Sequence, residues 1–436
     1  MRKISVLVPA RNESETIGAL LESVKRQDYP TDFFTLNVIV KDPCDPTIEL
    51  VEEMGGKIFV VADQTCKGEA LDGYFKAIGA DGIAEFDAFV IVDADGVLAP
   101  DYLSSLNEAL EYDFDIFTTR KHNLNLLWGK ESRSVHSNCS ALLWPAMEDL
   151  GNAWRAEHNA PLNLCAQGMM LRRHVVQSIG GWPYHTLTED CELRLDSFLK
   201  DFKTLYYTHA IIYTEEAVTH KENYKRRIRW LTGHAQCDRL YRERIKQQYK
   251  RDKQNGGRNI AAHDYLYGYF PFILFAIGTV VSVIAGLTLG TIYFINGDEQ
   301  WFSAYMFLTV MPVGILYVLL WLFTLVTYAV GRDIFRTLPA REKAIMILYY
   351  PIYLLEFCPI YLAGWLNARR GKNIEWKETE RVKQAEAPIG EAGVEAGVEA
   401  AEDNRVVDES IESAETDAET DVNTETENTI QEEKGE

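Results

Sequence analysis

Two adjacent carboxylates stand where a helix is predicted to begin. Glu189 and Asp190 follow a Gly-Gly-Trp turn at residues 180–182 and precede a run with helical periodicity. The N-terminus of a helix carries partial positive charge, which keeps a nearby carboxylate ionised. An ionised carboxylate accepts protons, so we expect Asp190 to act as a general base towards a hydroxyl group.

A second pair of carboxylates, Asp93 and Asp95, directly follows an apolar run that ends at Val92. Two carboxylates at this spacing suit a hard divalent cation that also binds a diphosphate. A solvated turn produces the same pattern, because Asp-x-Asp is common by chance. Hydrolysis of a glycosidic bond is less favoured, since it needs carboxylates several ångström apart across the bond.

A third group of candidate residues is the basic stretch Lys225-Arg226-Arg227-Ile228-Arg229-Trp230. Its charge alone is explained by the basic residues that flank membrane segments on the cytoplasmic side. That explanation leaves out Trp230. A guanidinium binds a diphosphate through two hydrogen bonds, and an indole stacks on a sugar ring, so Arg229 and Trp230 suit two parts of one substrate system.

The elements that position these residues are strands alternating with helices. Apolar runs at residues 4–9, 36–40, 57–62 and 86–92 have the length and composition of buried strands. The alternation predicts an α/β fold with an open, largely parallel sheet. Ligands bind outside the carboxyl ends of such strands. That rule places several polar segments along one rim, namely residues 9–13, Asp42, Lys67 and residues 93–95.

The negative charge of the chain is concentrated at its end. The formal net charge is −21, and residues 384–436 hold 18 Asp and Glu against Arg405 and Lys434. This segment has no aromatic residue, so it cannot bury enough apolar area to offset its ordering entropy. We expect a disordered acidic tail without a catalytic role. The seven cysteines form no CxxC pair, which favours neither a disulfide framework nor a zinc site.

Long apolar segments appear after residue 258. Residues 265–297 and 301–331 contain no formal charge, and each stretch exceeds the roughly 20 residues that cross a bilayer. We predict spans at about 266–295 and 302–330 and a third at about 344–366. The third contains Pro351, Glu356 and Pro359, so crossing, kinking and a re-entrant path all remain open.

The distribution of basic residues predicts the orientation of the chain. Residues 221–258 hold 13 Lys and Arg, whereas the loop around Asp298 and Glu299 holds none. Basic residues favour the cytoplasmic side. We therefore expect a cytoplasmic domain at 1–258, a membrane domain at 259–376 and an integral protein of the plasma membrane. Arg369 and Arg370, just after the third stretch, conflict with a simple path of three spans.

The order and spacing of these motifs resemble membrane-bound family 2 glycosyltransferases, the group that includes cellulose, hyaluronan and poly-N-acetylglucosamine synthases. The resemblance covers about residues 1–235. Its motifs are Val8-Pro9-Ala10-Arg11-Asn12-Glu13, Lys67-Gly68-Glu69-Ala70-Leu71, Asp93-Ala94-Asp95, Gly180-Gly181-Trp182, Thr188-Glu189-Asp190 and Arg226-Arg227-Ile228-Arg229-Trp230.

The resemblance implies a GT-A fold, a nucleotide-sugar donor that is most often a UDP-sugar, and Mg²⁺ or Mn²⁺ as cofactor. The implied donor site consists of Pro9, Arg11, Glu13, Asp42, Lys67, Asp93 and Arg229. Asp95 would bind the metal, and Glu189 and Trp230 would contact the acceptor. Asp190 would be the base of an inverting transfer. The implied partners are the donor, a glycan or lipid acceptor and membrane lipids, with no nucleic acid.

Two departures from the family pattern leave alternatives open. The acid after the second strand usually lies in an Asp-Asp or Asp-Asn pair, whereas Lys41-Asp42-Pro43 stands here, and we favour Asp42. The Gln-x-x-Arg-Trp motif of processive synthases has Arg226 in its first position. Arginine there also resembles ceramide-glucosyltransferase-like enzymes, which transfer one sugar to a lipid. We expect extension of a β-linked glycan, with single transfer to a lipid or lipid phosphate as the alternative.

Overall fold

One sheet of eight strands runs through the part of the chain that the computed structural model describes, residues 1–128, 130–158, 160–257, 259–267 and 270–371. The strands are β1 (Ile4–Pro9), β2 (Phe34–Val40), β3 (Lys57–Val60), β4 (Ala88–Ile91), β5 (Val97–Leu98), β6 (Ile116–Asn123), β7 (Met169–Arg172) and β8 (Thr204–Thr214). Their order across the sheet is β3-β2-β1-β4-β7-β6-β8-β5. The acidic tail predicted at 384–436 lies outside the described residues.

The sheet is mixed, where the sequence predicts a largely parallel one. β1 to β4 are parallel neighbours, but β7 pairs antiparallel with both β4 and β6, and β5 pairs antiparallel with β8. The reason is the path of the chain after β6. Helices at residues 135–157 follow the carboxyl end of β6, so β7 starts at that rim and has to run back across the sheet.

Helices cover both faces of the sheet. The helices of the globular part are α1 (Ile17–Lys25), α2 (Thr47–Glu53), α3 (Lys67–Ala84), α4 (Tyr102–Ala109), α5 (Val135–Pro145), α6 (Gly151–Glu157), α7 (Arg173–Ile179), α8 (Glu189–Leu199), α9 (His220–Gln254) and α10 (Ile260–Tyr267). Successive strand residues point to opposite faces, so Val6 and Val8 join one buried cluster and Leu7 joins the other. The α/β class expected from the alternating pattern is confirmed.

The apolar C-terminal segments are helical. They form α11 (Phe270–Ile295), α12 (Glu299–Val330), α13 (Ala340–Leu355) and α14 (Phe357–Arg369). By length and composition, three helical stretches among the described residues are able to cross a membrane, at Ile277–Ile295, Glu299–Val330 and Ala340–Arg369. These correspond to the three stretches predicted from the sequence. The third is interrupted at Glu356, between α13 and α14.

The globular and apolar parts share a buried cluster. Leu126 and the α5 residues Cys139, Ala141 and Leu142 pack with residues of α13 and of the turn before it. The residues that α13 and the preceding turn contribute to this cluster are Ile334, Phe335, Leu338, Met346, Tyr350 and Tyr353. α10 instead packs with Leu195 of α8 and with α9, so it associates with the globular part.

Candidate active site

A cavity of about 240 Å³ opens beyond the carboxyl ends of β1 and β4. This is the rim at which an α/β sheet binds its ligands. The predicted site residues that line it are Pro9, Arg11, Glu13, Lys67, Asp93, Asp95, Glu189, Asp190, Arg229 and Trp230. The fold thus brings together segments that are separated by up to about 220 residues in the sequence.

Asp42 does not line this cavity. Its side chain is exposed and accepts a hydrogen bond from the backbone N–H of Cys44 at 2.9 Å. The acid that reaches towards the rim after β2 is Asp45, which is buried and accepts from the N–H of Asn12 at 2.9 Å. Asn12 has a positive φ of 55°, so Asp45 holds the loop that carries Arg11 and Glu13 in an uncommon backbone conformation.

Asp190 stands in the first turn of α8, as the sequence predicts. Its Oδ1 accepts from the N–H of Cys191 at 2.7 Å, and its Oδ2 accepts from the N–H of Ala166 at 3.2 Å. These two backbone donors fix the direction of the carboxylate. The carboxylate lies at the N-terminal end of α8, where the helix dipole is positive.

Lys67 connects the N-terminus of α8 to the Asp-x-Asp loop. Its ammonium group forms an ion pair with Asp93 and lies 3.7 Å from Oε1 of Glu189. Burial by itself would lower the pKa of Lys67, but the two carboxylates raise it above its ordinary value. Burial raises the pKa of Glu189 to about 7, against the opposing effect of Lys67. The cavity therefore holds the cation of Lys67 between the carboxyl groups of Asp93 and Glu189.

Two glycines allow the three site segments to meet. A Cβ on Gly68 would lie 1.9 Å from the carbonyl oxygen of Tyr184, in the segment before α8. A Cβ on Gly233 in α9 would lie 2.5 Å from Oγ1 of Thr188. Real Cβ atoms do not approach other atoms so closely. The backbone of α3 therefore packs directly on the segment before α8, and the backbone of α9 packs directly on Thr188 at the start of α8.

The Asp-x-Asp loop is held by Gln167. The Oε1 atom of this buried side chain accepts from the backbone N–H of Asp93 at 2.6 Å. Gln167 stands just before β7, which pairs with β4, so one sheet positions both the loop and the residue that holds it. Gln167 is a positioning residue for Asp93 and Asp95.

Arg229 points a half-buried guanidinium into the cavity. Burial and the neighbouring Arg226 both lower its pKa, while Asp93, Glu189 and Asp190 oppose them. Its Nε atom is buried without a hydrogen-bond partner among the described residues. Arg226 and Arg229 both line the cavity, and two neighbouring guanidinium groups concentrate positive charge that favours a bound anion. The geometry therefore suits the binding of a diphosphate.

Trp230 forms an aromatic corner with Trp144 of α5. Their ring centroids are 6.4 Å apart at an interplanar angle of 62°, and the Arg226 guanidinium lies 5.3 Å from the Trp230 ring centre. Sequence patterns favour a packing role for Trp144 in an interfacial helix. In the structure Trp144 is buried and also lines the cavity, so it contributes both to packing and to the wall of the cavity.

Glu216 organises this corner, and the sequence reasoning missed it. Its fully buried carboxylate accepts from Nε1 of Trp144 at 2.6 Å and from Oγ of Ser140 at 2.6 Å. It also accepts from Nη1 of Arg226 at 3.2 Å. A signal was available, because Glu215 and Glu216 directly follow an apolar strand, as Asp93 follows β4.

The residues at the Asp-x-Asp loop fit a hard divalent cation. Asp95 lines the cavity, and carboxylate oxygen is the ligand that Mg²⁺ and Mn²⁺ prefer. The described residues contain no cluster of three or more His, Cys, Asp or Glu that would enclose a metal. Mg²⁺ usually binds one or two carboxylates and completes its shell with phosphate oxygens and water. Asp95 therefore suits a cation that arrives with a diphosphate.

Comparison with known proteins places the chain among glycosyltransferases. A family model described as "Glycosyltransferase like family 2" matches residues 2–233. The probable glycosyltransferase YdaM of Bacillus subtilis is 26% identical over 300 residues, which cover 64% of this chain and 64% of that protein. The glycosyltransferase YaiP of Escherichia coli is 21% identical over 377 residues, covering 79% of this chain and 87% of its own.

The beta-monoglucosyldiacylglycerol synthase of Nostoc sp. is 23% identical over 240 residues. This match covers 53% of the present chain and 48% of that enzyme's length. Among solved structures, the mannosyltransferase PcManGT of Pyrobaculum calidifontis, in complex with GDP-Man and Mn²⁺, has a TM-score of 0.43 at 16% identity, covering 71% of this chain and 86% of that one.

The match to the family model extends from β1 to the glycine of α9 that packs against Thr188, so it includes every lining residue of the cavity except His234. It covers more than half of the chain. The expected GT-A fold is confirmed, with a curled mixed sheet and three candidate apolar helices at the C-terminus. The protein belongs to glycosyltransferase family 2.

Proposed function

We propose that this protein is an inverting glycosyltransferase that moves a sugar, from a UDP-hexose or UDP-N-acetylhexosamine, to a growing β-linked glycan at the cytoplasmic face of the plasma membrane. The observation that carries the proposal is a single cavity. It joins a helix-terminal carboxylate at Asp190, a guanidinium with an unsatisfied donor at Arg229 and an aromatic corner at Trp230.

In the proposed reaction Asp190 removes the proton from an acceptor hydroxyl. The acceptor oxygen forms a bond to the anomeric carbon while the bond between that carbon and the diphosphate oxygen breaks. The electron pair of that bond leaves with the nucleoside diphosphate, and the proton stays on Asp190. Arg229 stabilises the leaving diphosphate by charge-assisted hydrogen bonds.

The donor would be held along the strand-end rim. Pro9, Arg11 and Glu13 border the cavity at the end of β1, and Lys67 and Asp93 form an ion pair deeper in it. We propose that these residues bind the nucleotide, with Asp42 contacting a part of it that extends outside the cavity. A divalent cation bound by Asp95 would neutralise diphosphate charge.

The acceptor would lie against Trp230 and Trp144. Sugar rings stack on aromatic faces, and the corner offers two of them beside the base. Glu189 also lines this part of the cavity and would bind acceptor hydroxyls. The basic residues before α11 support the proposed cytoplasmic location, because such residues usually remain on the cytoplasmic side of the membrane.

A second candidate is transfer of one sugar to a lipid acceptor. Two observations favour it: Arg226 replaces the glutamine of the processive motif, and the Nostoc relative is named as a glucosyldiacylglycerol synthase. The apolar helices would then admit the acceptor sideways from the membrane.

One assay tests both candidates. Purified protein is given UDP- and GDP-sugars with Mn²⁺ or Mg²⁺, and nucleotide release is measured together with product length. Long products support the glycan synthase, and a single glycolipid supports the second candidate. Asp190→Asn should lower turnover by about 100- to 10,000-fold while donor binding persists.

The matched control is Asp113→Asn, a surface acid whose side chain is 96% exposed and which should retain full activity. Unchanged nucleotide release from Asp190→Asn would contradict the role of the base. Full activity in the presence of a chelator would contradict the metal role of Asp95.

A further inference from the structure

We propose that α13 and α14 do not cross the bilayer but lie in the plane of its cytoplasmic interface, with one face on the globular domain and the other in lipid. The chain would then cross the membrane twice, through α11 and α12. The inference concerns the third candidate stretch, Ala340–Arg369, and does not depend on the proposed activity.

The first argument is that the globular domain contacts this stretch with charged groups along its whole length. Near its start, Nε of Arg133 lies 3.6 Å from a carboxylate oxygen of Glu342. At its middle, Nη1 of Arg227 lies 3.4 Å from Oε2 of Glu356. Near its end, Nη1 of Arg239 donates to the carbonyl oxygen of Ala368 at 2.8 Å.

A helix that crosses a bilayer cannot keep such partners at both ends and at its centre. Charged side chains are expensive in the hydrocarbon region. Arg227 and Arg239 belong to α9, which lies on the same side of the membrane as the catalytic cavity. The stretch packs first along α5 and then along α9. Its start, middle and end therefore all lie on the side of the membrane that holds the globular domain.

The two faces of the stretch differ in what they contact. Met346, Tyr350 and Tyr353 are buried against the globular domain, and Gly364 packs so tightly that a Cβ there would lie 3.0 Å from Leu231. The large apolar side chains exposed on the other face are Ile345, Leu348, Ile352, Tyr361, Leu362 and Trp365. An exposed apolar face along a helix fixed at the domain surface suits the interface between headgroups and acyl chains.

The contacts around Glu356 support this path. α13 packs on α5 and α14 packs on α9, so the globular domain contacts the stretch on both sides of Glu356. Glu356 lies outside both helices, and it accepts from Tyr349 at 2.9 Å as well as pairing with Arg227. The break is thus fastened to the globular domain.

An in-plane stretch also agrees with the positions of the basic residues at its two ends. Arg341 and Lys343 precede the apolar part of the stretch, and Arg369 and Arg370 follow it. Basic residues at both ends of a spanning helix would place one group outside, against the usual distribution. An in-plane stretch keeps both groups on the cytoplasmic side. α12 also returns to that side, since Gly331 at its end packs against Pro145 of α5.

Sidedness gives the first test. Cysteines are introduced one at a time at Ser410, in the acidic tail, and at Asn296, between α11 and α12, in a chain with Cys44→Ser and Cys358→Ser. Sealed right-side-out and inverted vesicles are treated with a membrane-impermeant maleimide. A separate control protein keeps Cys44 and carries only Cys358→Ser. Labelling of its Cys44 reports the side of the membrane on which the globular domain lies.

We expect Ser410→Cys to be labelled in the same vesicles as Cys44 and Asn296→Cys in the opposite ones. Labelling of Ser410→Cys together with Asn296→Cys would overturn the inference.

Depth gives the second test and excludes a re-entrant path. Spin labels are placed at Ile352→Cys and Leu362→Cys, and their collision rates with oxygen and with a nickel chelate are compared. Both should report one shallow depth, whereas Ile315→Cys in α12 should report the bilayer centre. A depth at Ile352 or Leu362 equal to that of Ile315 would overturn the inference.

Discussion

At the scale of single residues, the cavity depends on a buried charge balance around Lys67. This ammonium group is 13% exposed, and it stands between Asp93 and Glu189. Burial raises the pKa of Glu189 to about 7, so its carboxyl group is partly protonated at neutral pH. Its neighbour Asp190 is held by two backbone N–H groups. Two adjacent acids thus have different environments and separate proposed roles.

Glu189 should make the stability of the protein depend on pH. Its pKa in the folded state lies above its ordinary value, so the unfolded chain releases the proton first as pH rises. Folded stability should therefore fall between about pH 4.5 and pH 7, by on the order of 2 kcal/mol from this group. Glu189→Gln should remove that fall. Thermal unfolding of both proteins in detergent between pH 5 and pH 8 measures it.

The control for this prediction is Glu111→Gln, since the Glu111 side chain is 70% exposed and should keep the pH dependence of the natural protein. Parallel curves for the natural protein and Glu189→Gln would show that Glu189 titrates with its ordinary pKa.

Trp230 should affect acceptor use more than donor use. Removing an indole that stacks on a sugar loses about 1.5–3 kcal/mol of apolar burial, or roughly 10- to 100-fold in acceptor kcat/KM. Trp230→Ala should show that loss while slow hydrolysis of the donor without acceptor continues at its usual rate. Trp154→Ala, a 40% exposed indole on α6, is the matched control. Equal losses in both reactions would place Trp230 in the donor site.

At the scale of elements, the site is made by helix ends that meet at close distance. α8 begins at Glu189, and α9 passes its N-terminus so closely that only glycine fits at position 233. This packing couples the position of Asp190 to that of Arg229, four residues before Gly233 on the same helix. Neither element alone contains the active-site geometry.

Gly233→Ala should move α8 and α9 apart. Its Cβ would meet Thr188 at 2.5–2.9 Å, and such overpacking costs about 1–3 kcal/mol. We expect a lower melting temperature and a lower kcat with the donor affinity less affected. Gly18→Ala in α1 has nothing within 4 Å of its Cβ and should be neutral or slightly stabilising. Natural activity in Gly233→Ala would show that the spacing of these helices is not critical.

At the scale of the whole molecule, α9 joins catalysis to the membrane part. Its Arg229 and Trp230 line the cavity, and its Arg227 is buried on the other side. The Arg227 guanidinium lies 3.7 Å from the ring centre of Tyr353 and 4.2 Å from that of Phe357. Neighbouring positions on one helix thus line the cavity and contact the apolar helices.

Breaking the pair of Arg227 and Glu356 should loosen this junction. Arg227→Ala removes a buried cation and its ring contacts, and loss of one partner of a buried pair costs about 3 kcal/mol. The melting temperature should fall, and Glu356→Gln in the same chain should add little further loss. Arg242→Ala, whose surface pair with Asp238 is 41% exposed on both sides, should cost less than about 1 kcal/mol. Additive losses in the double variant would show that the two residues do not interact.

The sequence by itself determined the local features of this protein. Strand ends, the helix that starts beside Asp190 and the long apolar helices depend on residues that are close in sequence, so periodicity and capping patterns predict them. The family resemblance then identified most residues of the cavity. These signals are strong because chain direction forces the carboxyl ends of parallel strands onto one rim.

Only the tertiary structure decided which distant residues meet. The fold turns Asp45 towards the rim, where it accepts from Asn12, and leaves Asp42, which we propose contacts the nucleotide, exposed outside the cavity. The position of Glu216 after a strand marks it as a candidate, but its contacts with Trp144 of α5 and Arg226 of α9 depend on the fold. By composition the third apolar stretch is long enough to span a membrane. Its charged partners, such as Arg227, belong to elements that are distant in the sequence. Contacts across the fold depend on packing, which local patterns do not contain.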